Sequence, residues 1–94
     1  LGVTMTSVEG AEYNGVKISD SITSGAVITV VSSGSTADAA KLKKGDVIIK
    51  LDDYKIKDYK YLKYYLYRYR VGDKVKITYI RDGKEKTVEV TLKD

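Results

Sequence analysis

The sequence predicts an α+β domain, with short strands in an antiparallel or mixed sheet, one short helix and one longer helix. Three observations carry this. Gly25–Val31 (GAVITVV) and Val47–Leu51 (VIIKL) are almost wholly apolar and β-branched, the pattern of buried strands. Lys74–Arg81 (KVKITYIR) alternates Val75, Ile77 and Tyr79 with polar residues, and Lys84–Leu92 returns with Val88, Val90 and Leu92 at the same period. Asp58–Arg70 (DYKYLKYYLYRYR) instead has a helical period. At about 100° per residue, Leu62, Leu66 and Tyr69 form one stripe, with Tyr59 and Tyr65 at its margins.

In chain order, Leu1–Ser7 (LGVTMTS) opens with a glycine and alternates Val3 and Met5 against Thr4 and Thr6, as a strand does. Ser7–Ser24 is polar, broken by Gly10 and Gly15, and reads as a loop with a short helical turn near its middle and Ile18 or Ile22 pinned to the core. After Gly25–Val31, Ser35 stands three residues before Asp38, resembling a capping box for a helix over Thr36–Ala40. Leu42 is a core anchor, and Gly45-Asp46 turns the chain into Val47–Leu51. Asp52-Asp53 makes a tight turn, and Lys55-Ile56 a very short strand. Asp58 caps the tyrosine-rich helix and Gly72 stops it after Arg70. Asp82-Gly83 marks a hairpin, because a type I′ turn needs the positive φ that Asp and Gly tolerate.

Composition narrows the chemistry. Ninety-four residues, 43% hydrophobic and 32% charged, fit one globular domain, 1–94. No apolar run approaches the length a bilayer requires, and no signal peptide opens the chain. The abrupt start at Leu1-Gly2-Val3 suggests a fragment of a longer protein. Histidine and cysteine are absent, which excludes Ser–His–Asp and Cys–His catalysis within the chain and argues against a zinc site. No glycine-rich phosphate loop occurs. Asp52 and Asp53 point to opposite faces of an extended segment, and Asp46, Asp73 and Asp82 sit beside glycines as turn residues, so no acid–base pair is expected. No catalytic residue, metal or cofactor is expected here.

The binding constellations are two. The helix Asp58–Arg70 holds six of nine tyrosines and no acidic residue after Asp58. Its aromatic and basic flanks suit single-stranded nucleic acid, an anionic membrane interface, or one wall of a peptide groove. The plainer reading is that tyrosine pads a half-buried helix in a chain without Phe or Trp. A net charge of +4, spread along the chain, is modest for a nucleic-acid binder. The glycine between Leu1 and Val3 lets backbone N–H groups converge on an anion such as a terminal carboxylate, or is simply a glycine in a strand.

Taken together these pieces resemble a PDZ domain of the bacterial HtrA/DegP-like serine proteases. Leu1-Gly2-Val3 resembles the end of that family's carboxylate-binding loop. Ser35–Ile48 (STADAAKLKKGDVI) resembles its small helix and following strand, Asp58–Asp73 its second helix, and Tyr79–Glu85 (YIRDGKE) its closing hairpin. The tyrosine- and lysine-rich helix with this hairpin is similar to HtrA of streptococci and relatives. Thr36 replaces the family's usual proline, and Lys41 its usual glycine. In left-handed geometry Lys41 costs about 1 kcal/mol relative to glycine.

The resemblance implies a partly open antiparallel barrel or sandwich of five to six short strands with two helices. It also implies a non-catalytic module that binds hydrophobic C-termini of substrates or unfolded polypeptides by strand addition. Such a module feeds or regulates a serine protease in the same chain, in protein quality control. The expected peptide site is Leu1, Gly2, Val3, Thr4 and Met5 with Lys63, Leu66, Tyr67 and Arg70, and the flank of Tyr61 and Tyr65 is the second choice. Tyr59 adjoins the first flank, Tyr69 pads the core, and Tyr64 faces solvent. Apolar or aromatic terminal residues are favoured, with Lys63 and Arg70 favouring acidic residues upstream. The implied location is extracellular or at the cell surface, anchored through parts preceding Leu1.

Overall fold

The computed structural model describes residues 2–8, 10, 22 and 24–92. Leu1 and the helical turn and Ile18 expected in the Ser7–Ser24 loop lie outside the described residues. Among these residues six strands and two helices follow in the order β1 (Val3–Ser7), β2 (Ala26–Val31), α1 (Thr36–Ala39), β3 (Val47–Leu51), β4 (Tyr54–Lys55), α2 (Tyr59–Leu66), β5 (Lys74–Arg81) and β6 (Lys84–Thr91). They form one antiparallel sheet in the order β1-β2-β3-β5-β6, with β4 paired to β3. The expected α+β class of short antiparallel strands with two helices is what the chain adopts, the strands lying in one open sheet.

The first part of β2, Ala26 to Ile28, is apolar because it is covered on both faces, whereas Val30 is exposed. Ala26 and Ile28 face the main core with Ile48, Leu51, Leu62, Val75 and Ile77, while Val27 turns to a second cluster with Val47, flanked by Ile22, Ile49 and Ile80. The β1–β2 register slips after Thr4: Thr4 faces Val30, but Met5 faces Ile28. Thr29, the extra residue, donates its hydroxyl to the Thr4 carbonyl at 3.1 Å, satisfying an acceptor there.

Ser35 caps α1 by accepting from Asp38 N at 3.2 Å, but Asp38 Oδ2 accepts from Gly34 N rather than from the cap residue's own N–H. Lys41 leaves the helix with φ 63°, the left-handed geometry that glycine would adopt without strain. Gly25 enters β2 at φ +128°, where a Cβ would lie 2.6 Å from Val47 Cγ1 and 3.0 Å from the Ile48 carbonyl. Asp82 and Gly83 have φ 54° and 74°, so the β5–β6 hairpin forms as its dipeptide predicts.

The longer helix is shorter than its periodicity suggests. Asp58 caps it, accepting from Lys60 N at 2.7 Å and from Tyr61 N at 3.4 Å, but α2 ends at Leu66 rather than at Arg70. Arg68 N and Tyr69 N then donate to the carbonyls three residues back, and Arg70 N donates to Asp73 Oδ2 at 2.8 Å. Tyr69 has left the helical stripe, and Arg70 is not on the helix flank assigned to it.

Candidate functional site

β1 is the first strand in the sheet order, so one edge pairs with β2 and the other has no strand partner among the described residues. A chain edge of this kind offers a ladder of backbone donors and acceptors to an added strand. Gly2, just before it, has φ 75°, and its carbonyl accepts from Ser32 N at 2.8 Å, which fixes the strand's start. α2 packs against β1 and β2. Val3 and Met5 of β1, with Tyr59 and Leu66 of α2, are partly buried against one core cluster, while Leu62 is fully enclosed. Thr4, between Val3 and Met5, is exposed.

The two flanks of α2 have different surroundings. Tyr65 stacks on Tyr54 of β4, with ring centroids 4.4 Å apart and planes 14° from parallel, and Tyr64 meets Tyr65 edge-on. Tyr65 is therefore engaged with β4, while Tyr61 stays 41% exposed. On the other flank, Lys63 Nζ lies 5.6 Å above the Tyr59 ring. A depression of about 430 Å³ there is lined by Lys63, Leu66, Tyr67 and Tyr69. Tyr67, the C-cap, is 87% exposed.

Two aspartates carry more than their sequence contexts suggest. Tyr69 donates its hydroxyl to Asp52 Oδ2 at 2.6 Å, and Lys76 N donates to Asp52 Oδ1 at 2.8 Å. This ties the segment after α2 to the β3–β4 turn and β5. Burial first, and then the hydrogen bond to Asp52, hold the Tyr69 phenol well above its ordinary pKa. Asp46 is 2% exposed and takes Arg81 Nε at 2.8 Å and Nη2 at 2.6 Å, a forked ion pair. The Arg81 pKa is raised chiefly by that hydrogen bond. Each carboxylate is taken up by structural donors, so neither is free for acid–base chemistry. Among the described residues no cluster of three metal-ligating side chains occurs.

The family profile described as a PDZ domain matches residues 1–92. The chain belongs to the PDZ domain family. A PDZ domain is a non-catalytic module, and the relatives of this one are proteases. It is 39% identical over 98% of its length to the serine protease Do-like HtrA of Lactococcus lactis subsp. lactis, and 36% identical over 98% to that of Lactobacillus helveticus. It spans 23% of the length of each. Among solved structures, the PDZ domain resembles the HtrA-type protease AlgW with decapeptide, with a TM-score of 0.81 and 26% identity, covering 99% of this chain and 28% of that one. The PDZ domain of the SdrC-like protein from Listeria monocytogenes gives a TM-score of 0.67 at 27% identity, covering 83% of this chain and 78% of that one.

Proposed function

We propose that this PDZ domain binds the hydrophobic C-termini of substrate or unfolded polypeptides by strand addition along β1. The carrying observation is the edge of β1 beside α2, which has no strand partner among the described residues, with Gly2 at φ 75° where the terminal carboxylate would be met. Main-chain pairing falls to Val3, Thr4 and Met5, and the carboxylate to the N–H groups around Leu1, Gly2 and Val3. Val3, Met5, Leu66 and Tyr67 supply an apolar seat for the terminal side chain. The Lys63 flank of α2 is assigned to the groove; the stacking of Tyr65 on Tyr54 at the opposite flank supports that choice. Lys63 favours acidic residues upstream, with Arg70 acting from beyond the helix end.

The solved structure of the HtrA-type protease AlgW with decapeptide supports a peptide as the class of ligand. On this reading the domain feeds or regulates a serine protease of the same chain, at or outside the cell surface. Calorimetric titration with a peptide ending in an apolar residue is the test. Binding of the free acid at least tenfold tighter than of the C-terminal amide is expected. Equal affinity, or no binding of either, overturns the proposal.

A further inference from the structure

The Tyr54–Tyr65 side of α2 forms a surface with its own chemistry. Tyr54, Tyr61 and Tyr64 are 38%, 41% and 56% exposed. Tyr61, Tyr64 and Tyr65 line a shallow depression of about 500 Å³ with Asp58 and Lys60. Lys57 Nζ stands 5.8 Å from the Tyr61 ring centroid, and the Arg68 guanidinium 5.5 Å from that of Tyr64. Lys57, Lys60 and Arg68 have no acidic side chain paired with them among the described residues. The nearest acid in sequence to the two lysines, Asp58, is engaged as the α2 cap, and the nearest to Arg68, Asp73, accepts from Arg70 N.

We propose that this aromatic–basic face docks on an anionic phospholipid surface. Tyrosine couples an apolar ring to a wettable hydroxyl and suits the headgroup boundary, while unpaired cations attract anionic lipid. Nucleic acid is the weaker fit. One face of each exposed ring is already taken, by Tyr65, Lys57 or Arg68, which leaves less ring for bases to stack on. The face lies on the opposite flank of α2 from Lys63, so it does not depend on the peptide groove.

The test is co-sedimentation of the 94-residue chain with vesicles of equal phosphatidylglycerol and phosphatidylcholine, and with phosphatidylcholine alone. Binding to the anionic vesicles alone, weakening as salt rises, is expected. Lys57→Gln with Lys60→Gln should lower the partition coefficient by about fivefold per cation, and Tyr61→Ser with Tyr64→Ser should lower it further. These side chains are exposed, and a preserved amide spectrum verifies folding. The same charge removed at Lys43 and Lys44, at the other end of β3, should leave partitioning unchanged. An equal loss at Lys43 and Lys44 reduces the effect to net charge and overturns the proposal. So does absence of vesicle binding, or binding of a single-stranded oligonucleotide through these residues instead of vesicles.

Discussion

Asp46 accepts three hydrogen bonds, from Arg81 Nε and Nη2 and from Lys43 N, with almost no water access of its own. Arg81 also donates to the Lys41 carbonyl at 3.0 Å, so one guanidinium fixes both ends of the α1–β3 loop. Arg81→Met leaves a buried carboxylate without its counter-charge. Because Arg81 itself is partly exposed, the expected loss is about 2–3 kcal/mol, read as a lower denaturant midpoint. Tyr69 gives a pH signature. Its folded pKa lies above its ordinary 10.0, so its stabilisation is complete below that pH and is lost as pH rises beyond it. Wild type should exceed Tyr69→Phe by about 1 kcal/mol at neutral pH, with the gap narrowing in alkaline denaturation. A gap that stays constant through that range would sink the assignment.

Elements that depend on neighbouring residues were readable in the sequence. The β5–β6 hairpin follows from Asp82-Gly83, β3 from VIIKL, and the α2 start from Asp58. The end of α2 was not, because it is set at a distance. Tyr69 keeps the helical period, yet its hydroxyl is held by Asp52, 17 residues away, and Asp73 captures Arg70 N. The Arg81–Asp46 pair spans 35 residues and left no local pattern either. Chain-level strain is open to test at two positions. Lys41→Gly relieves a left-handed residue and should raise stability by about 0.5–1 kcal/mol, seen as a higher Tm. Gly25→Ala drives a methyl into Val47 and the Ile48 carbonyl at a φ that L-residues rarely adopt, and should cost about 2–3 kcal/mol.

At the scale of the molecule, the sheet order leaves β1 at an edge among the described residues and sets α2 against it, with Val3, Met5, Tyr59 and Leu66 packed on one core cluster. The sequence alone supplied the glycine before β1 and the amphipathic α2, but two flanks of the helix remained open. The stack of Tyr65 on Tyr54, a contact across 11 residues of sequence, gives the two flanks different neighbours. It also divides the tyrosines. Tyr59 pads the core rim, Tyr67 lines a depression with Lys63, Leu66 and Tyr69, and Tyr54, Tyr61 and Tyr64 are exposed on the other flank. Amide chemical-shift mapping during titration with a C-terminal hydrophobic peptide tests the proposed groove most directly. The free acid should shift Gly2–Met5 and Lys63–Tyr67 together, and amidation should abolish the Gly2 and Val3 shifts. Shifts confined to Tyr54 and Tyr61–Tyr65, or a pattern indifferent to amidation, would contradict binding along β1.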